Sequence, residues 1–225
     1  MKAWAKVAVG VGATLIAVPS AFATKQRFFP HRYDVVSIAT LPDYQAPSTL
    51  ERAWALPAAA PLKTAFAYQS NPSTCGPTSL ADVERSFGVT GATARSVLEG
   101  TGKCWTGICL GGLTLEELAD IAHAKTRHRA TVLRDLTLAD FREQMKLSND
   151  PARRYIVNFN RGMLFVVGHG HHSPIGGYLE ERDLVFVLDV NDSFKPWLVP
   201  TERLFAAMDT RDGMSGKKRG LLLLE

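Results

Sequence analysis

The apolar residues of this chain change their spacing once, and that change limits the folds open to it. Up to Met145 they recur at helical intervals. Leu80, Val83 and Phe87 fall at i, i+3 and i+7, and Gly88 stops the run. Leu115, Leu118, Ala119 and Ala122 line one side of a helix opened by a Thr114–Glu117 capping box. Phe141 and Met145 do the same behind Thr137 and Asp140, and residues 92–98 suit a further short helix. From Arg154 the apolar residues run consecutively instead. Residues 155–159, 163–167 and 184–188 read as buried strands, with Gly168, Gly170, Gly176 and Gly177 at the turns. A short helix over 201–208 and a last strand over 221–224 complete the pattern. Helices first and an antiparallel sheet afterwards make an α+β domain. With 225 residues the chain can bury its core without disulfide support.

The first residues read as an address. Lys2 and Lys6 precede a short apolar stretch over 7–18, Pro19 and Ser20 break it, and Ala21-Phe22-Ala23 is a cleavage signal. Residues 1–23 are therefore expected to be a signal peptide, too short in its apolar part to span a bilayer, and the chain is expected to be exported, periplasmic or secreted. After cleavage no membrane association is expected. Residues 24–225 are expected to form one domain, with 24–61 an arm packed on the core and a short helix at 49–56. Cleavage removes two lysines and lowers the formal charge from +4 to +2, and no basic run exceeds Lys217-Lys218-Arg219, so nucleic acid is not an expected partner. An oxidising compartment makes three cysteines informative. Cys104 and Cys109 share a Gly-rich stretch and could close a small loop, leaving Cys75 free; pairing of Cys75 with either of them stays open.

Cys75 stands where a Pro-containing loop meets a helix start, where free amide groups and the helix dipole favour a thiolate. Gly76 lets the chain turn and a substrate approach. Downstream, His169, His171 and His172 sit among glycines in 168–178, and Asp189 interrupts an apolar strand, where an unpaired carboxylate is rare. Cysteine, then histidine, then carboxylate is the order of papain-like enzymes. Gln69 lies six residues before Cys75, a spacing that suits an oxyanion-hole amide working with the Cys75 N–H.

With those segments in view, the chain resembles the phytochelatin synthase family. Residues 69–80, 156–162, 170–178 with Glu181-Arg182-Asp183, and Leu188-Asp189-Val190 carry the resemblance, which extends over about 65–208. It implies a papain-like fold and a triad of Cys75, His171 and Asp189, with Gln69 and Cys75 forming the oxyanion hole. It implies a substrate-binding or supporting role for Arg161, Gly170 and Ser173. The activity implied is cleavage of the Cys-Gly bond of glutathione through a Cys75 acyl-enzyme, with γ-glutamylcysteine passed to water or to a second glutathione. No cofactor or resident metal is needed for that chemistry. Cadmium or zinc can enter as thiolate complexes of the substrate. A homodimer is left open. Two positions depart from the family. His172 stands where Phe is usual, and the segment after Asp189 differs, making Asp192 a rival carboxylate.

Two other readings are compatible with the residues. One is a papain-like peptidase that processes double-Gly leader peptides. The other is a non-catalytic exported metal- or thiol-binding module, in which His169 and His171 share a strand face and ligate zinc with a carboxylate. His31, His123 and His128 are expected at the surface, and Trp105 and Trp197 in the core.

Overall fold

A computed structural model describes residues 31–104 and 107–225. The expected signal peptide, the first residues of the arm and Trp105 lie outside the described residues. The elements follow in the order α1 (Pro47–Trp54), α2 (Cys75–Ser86), α3 (Ala94–Leu98), α4 (Leu115–Lys125), β1 (Ala130–Leu133), α5 (Leu138–Leu147), β2 (Arg154–Asn160), α6 (Gly162–Phe165), β3 (Gly170–Leu179), β4 (Leu184–Val187), β5 (Trp197–Pro200), α7 (Thr201–Met208) and β6 (Leu221–Leu224).

Local signals account for where the helices begin. Thr114 and Thr137 accept from the N–H groups of Glu117 and Asp140, whose carboxylates reach back to the cap, as the two expected boxes require. A third box, Thr93 with Ser96, opens α3. α2 starts after a turn in which Asn71 Oδ1 accepts from the N–H and hydroxyl of Ser73.

Six strands form one antiparallel sheet in the order β1-β6-β2-β3-β4-β5. Alternation along each strand sends side chains to two separate cores. Ile156, Leu222 and Leu224 pack under α2 and α4 against Leu80, Val83, Leu118 and Ile121. Tyr155, Val157, Phe159, Val187 and Val199 face the other way, toward Phe141 and Met145 of α5 and Leu204 of α7. The segment around α1 covers Phe186 and Leu198 through Ala53 and Leu62.

The α+β class stands as expected, with four corrections. β1 lies inside the helical part; it is a four-residue edge strand with only Ala130 buried, too short and too exposed to show a period. β5 was not anticipated either. Residues 163–167 are not a strand, because Asn160 Oδ1 accepts from the Gly162 N–H, starts the single turn of α6, and Val166 ends it at φ +73°. Gly170, Gly176 and Gly177 lie within β3 rather than at turns. The register shifts between Ile175 and Gly177, and a Cβ on Gly176 would lie 2.6 Å from Phe186.

Candidate active site

Three elements bring the expected residues to one end of the sheet. α2 begins with Cys75, so its thiol sits at the unpaired N–H end of a 12-residue helix. β2 and β3 pair Phe159 with His171 and Asn158 with His172. Adjacent residues on β3 therefore face opposite sides of the sheet: His171 shares its side with Phe159, and His172 faces Asn158 and α2. Asp189 follows β4 and is fully buried.

The Cys75 thiol is free and only 6% exposed, yet it lines a cavity of about 760 Å³ with Ser73, Asn158, His169, His172 and Arg219. Burial pushes the thiol up, but His171 and His172, by charge and hydrogen bonding, outweigh it and hold the thiol well below its ordinary range. The contact to Cys75 Sγ at 3.9 Å comes from His172 Nδ1.

His171 Nε2 lies 3.0 Å from Asp189 Oδ1. Asp189 accepts further bonds from Trp197 Nε1 at 3.0 Å, the Asn191 N–H at 2.9 Å and Arg161 Nη2 at 3.0 Å, and Arg161 Nη1 pairs with it by charge at 2.9 Å. Burial pushes Asp189 up, but His171 and Arg161 hold it well below the carboxylate range. Burial works against the His171 cation as well. The Asp189 carboxylate and the Cys75 thiolate outweigh that, against opposition from Arg161, and raise the imidazole above its ordinary value. The two shifts together describe a thiolate–imidazolium pair backed by an ionised carboxylate.

The remaining expected residues fall into distinct places. Gln69 ties its loop to the strand end through its N–H to Val190 O at 2.7 Å, and its Nε2 donates to Asn71 O at 3.0 Å. One amide hydrogen is therefore engaged, leaving the second. Arg161 is buried behind Asp189, stacked 3.9 Å over Phe194, and does not line the cavity; it supports the carboxylate. Gly170 is in the cavity wall, where a Cβ would come within 2.5 Å of Arg219 Nη1. Ser173 is buried within the β2–β3 pair. Asp192 is exposed, unlike the fully buried Asp189. Cys104 and Cys109 are bonded to each other. Their loop is tied to the turn before the nucleophile, with the Cys109 N–H donating to Ser73 Oγ and Asn71 Nδ2 to Gly107 O.

His169 is exposed in the cavity wall, and His31 and His123 are exposed as expected. His128 is half-buried instead, stacked on Phe87 at 3.8 Å. Among the described residues, no group of three or more His, Cys, Asp or Glu side chains is placed to hold a metal ion, and no helix is long and apolar enough to cross a membrane.

The sequence does not single out Asn158, Trp197 as a partner of Asp189, or the pair Arg219–Asp212. Arg219 Nη1 lies 2.8 Å from both Asn158 Oδ1 and Asp212 Oδ2. In the sequence Arg219 ends a basic run, and nothing in its spacing distinguishes it from the solvated Lys217. Its position two residues before β6, a fully buried strand, is the signal the sequence carries.

Comparison with known proteins adds three findings. A profile of the phytochelatin synthase family matches residues 43–221. Curated relatives include glutathione gamma-glutamylcysteinyltransferase 3 of Lotus japonicus, 36% identical over 116 residues, and glutathione gamma-glutamylcysteinyltransferase 1 of Arabidopsis thaliana, 34% identical over the same length. Each match takes in 50% of this chain and 24% of the relative, so the aligned region is about a quarter of those proteins. Among solved structures, a putative C39-like peptidase from Bacillus anthracis superimposes with a TM-score of 0.51 at 16% identity, over 71% of this chain and 93% of that one. That likeness concerns the fold alone, which is papain-like.

Proposed function

The chain belongs to the phytochelatin synthase family, and on that premise we propose that it is a cysteine acyltransferase or hydrolase acting on the Cys-Gly bond of glutathione. The observation that carries the reading is a single free thiol, held ionised at a helix start, beside an imidazole bonded to a buried carboxylate and open to a cavity. A cavity of about 760 Å³ suits a tripeptide.

The roles follow from the geometry. The Cys75 thiolate attacks the peptide carbonyl between the cysteine and glycine of glutathione. The developing oxyanion is met by the Cys75 N–H and the second amide hydrogen of Gln69. The His171 imidazolium gives its proton to the departing glycine amine, and Asp189 keeps Nε2–H directed away so that Nδ1 serves the reaction. A γ-glutamylcysteinyl thioester remains on Cys75. Neutral His171 then takes a proton from the attacking nucleophile. Water yields γ-glutamylcysteine, whereas the amine of a second glutathione yields a peptide with two γ-glutamylcysteine units and one glycine. Cadmium or zinc enters as part of a thiolate-bound substrate.

Export is part of the proposal. Lys2, Lys6, the apolar stretch over 7–18 and Ala21-Phe22-Ala23 support it, and a Cys104–Cys109 bond suits an oxidising compartment. Incubation of the purified chain with glutathione, followed by mass spectrometry, tests the chemistry. Glycine release that disappears in Cys75→Ala, with unfolding behaviour unchanged, is the expected result. Release that persists in the variant, or cleavage of a double-Gly leader peptide but not of glutathione, overturns the proposal.

A further inference from the structure

The nucleophile has two imidazole neighbours, and only one of them is needed by the mechanism above. The other, His172, is 2% exposed and caught between Cys75 and a polar chain that ends in a fixed charge. Arg219 donates from Nη1 to Asn158 at 2.8 Å, and a guanidinium has only donors, so the atom it meets must be the amide oxygen of Asn158. Asp212, 2.8 Å from the same Nη1, holds the guanidinium in place. With its oxygen committed, Asn158 presents its NH₂ to His172 Nε2 at 2.6 Å. The same Nδ2 is 3.4 Å from Nδ1, so the nearer Nε2 is the nitrogen that accepts, which leaves Nδ1, 3.9 Å from Cys75 Sγ, as the donor.

We propose that His172 is a positioning residue with a task distinct from that of His171: its Nδ1–H donates to the Cys75 thiolate and aims it into the cavity. It does not act as the base. Its Nε2 faces the Asn158 NH₂, which Arg219 prevents from turning over. The division of labour is therefore built into the two faces of β3. His171, bonded to an acceptor, moves protons; His172, bonded to a donor, holds the sulfur. The inference rests on Cys75 being the nucleophile, and goes beyond that reading in giving the adjacent histidine a separate task.

Alkylation of Cys75 by iodoacetamide, followed against pH by mass spectrometry, tests it in the full chain. The groups facing the thiol are His171 and His172 from β3 and Arg219 from the segment before β6, with Asp189 and Asp212 behind them. His172→Phe removes the donor, and its alkylation midpoint should rise by about one to two pH units, a fall of roughly ten- to a hundredfold in rate on the acid side. His172→Asn keeps an N–H near the Nδ1 position and should restore most of the shift. An unmoved midpoint in His172→Phe overturns the proposal alone, whereas a wild-type Cys75 that fails to alkylate removes the nucleophile as well. Should His172→Phe not fold, ring ¹⁵N shifts of the wild-type chain decide: a proton on Nδ1 of His172 is expected, and a ring protonated on Nε2 alone refutes the assignment.

Discussion

Replacing Asp189 by Asn is nearly isosteric, yet the structure predicts two separable losses. The carboxylate presents two oxygens to two sets of donors. Oδ1 serves His171 Nε2, Arg161 Nη2 and the Asn191 N–H, while Oδ2 serves Trp197 Nε1 and pairs by charge with Arg161 Nη1. An amide has one acceptor. Placed with its NH₂ at the Oδ1 position, it turns the imidazole to the other tautomer, with a proton facing the thiol. Placed the other way, it sets two donors against each other at Trp197. Either way the Arg161 guanidinium loses its counter-charge in a buried site, at a cost of about 3–5 kcal/mol. For a chain of this size that lowers the thermal midpoint by roughly 6–20 °C. Loss of the correct tautomer lowers glycine release by about 10⁴-fold, as in serine triads. The double variant Asp189→Asn/Arg161→Met separates the two effects. It removes the stranded charge and should recover more than half of the lost midpoint, measured by circular dichroism, while glycine release stays low. A double variant that regains activity, or an Asp189→Asn chain as stable as the wild type, refutes the reasoning.

Further outcomes follow from the same geometry. Cys75 should alkylate near its maximal rate well to the acid side of an ordinary thiol, and His171→Gln should move the midpoint upward toward the ordinary value of about 8.5, as a pH–rate series will show. Asp189, with its pKa depressed on folding, adds stability that is full above an ordinary carboxylate value of about 3.9 and is lost as pH falls through the depressed one; wild-type thermal midpoints should therefore drop at the acid end more than those of Asp189→Asn. Opening the small loop with Cys104→Ser/Cys109→Ser should cost roughly 2 kcal/mol on the chain-entropy account, read from urea denaturation. Gly170→Ala should press the Arg219 guanidinium away from Asn158 and cut glycine release from glutathione by about tenfold or more, with the thermal midpoint little changed.

Much of the fold is visible in the sequence because its signals are local. The boundaries of α7 and β6 coincide with the patterns over 201–208 and 221–224, and the Thr114 and Thr137 boxes open the helices they should. β1 and β5 are the two edge strands, and they are strands because β6 and β4 offer them hydrogen-bonding edges. The run over 163–167 is apolar enough for a strand, but an Asn160 turn decides its conformation. For the site, the positions of Cys75, His171 and Asp189 along the chain are legible, since each stands in a distinctive local setting. Which imidazole touches the sulfur, and from which side, is not. That depends on the β2–β3 register, and a shift of one residue would exchange the two rings. The partners supplied by Arg219 and Trp197 arrive from segments 61 and 8 residues away from the atoms they hold, with no pattern linking them.

The small ring between Cys104 and Cys109 has a bearing on how such a chain reaches maturity with its nucleophile intact. In an oxidising compartment three thiols have three ways to pair, and two of those consume Cys75. The partners five residues apart meet far more often in a disordered chain than either meets a sulfur some thirty residues upstream, so proximity alone directs the oxidant to the harmless pair. Once closed, that ring leaves the remaining sulfur with no intrachain companion. The two structural cysteines thus act as mutual chaperones for the third, sparing it by satisfying each other.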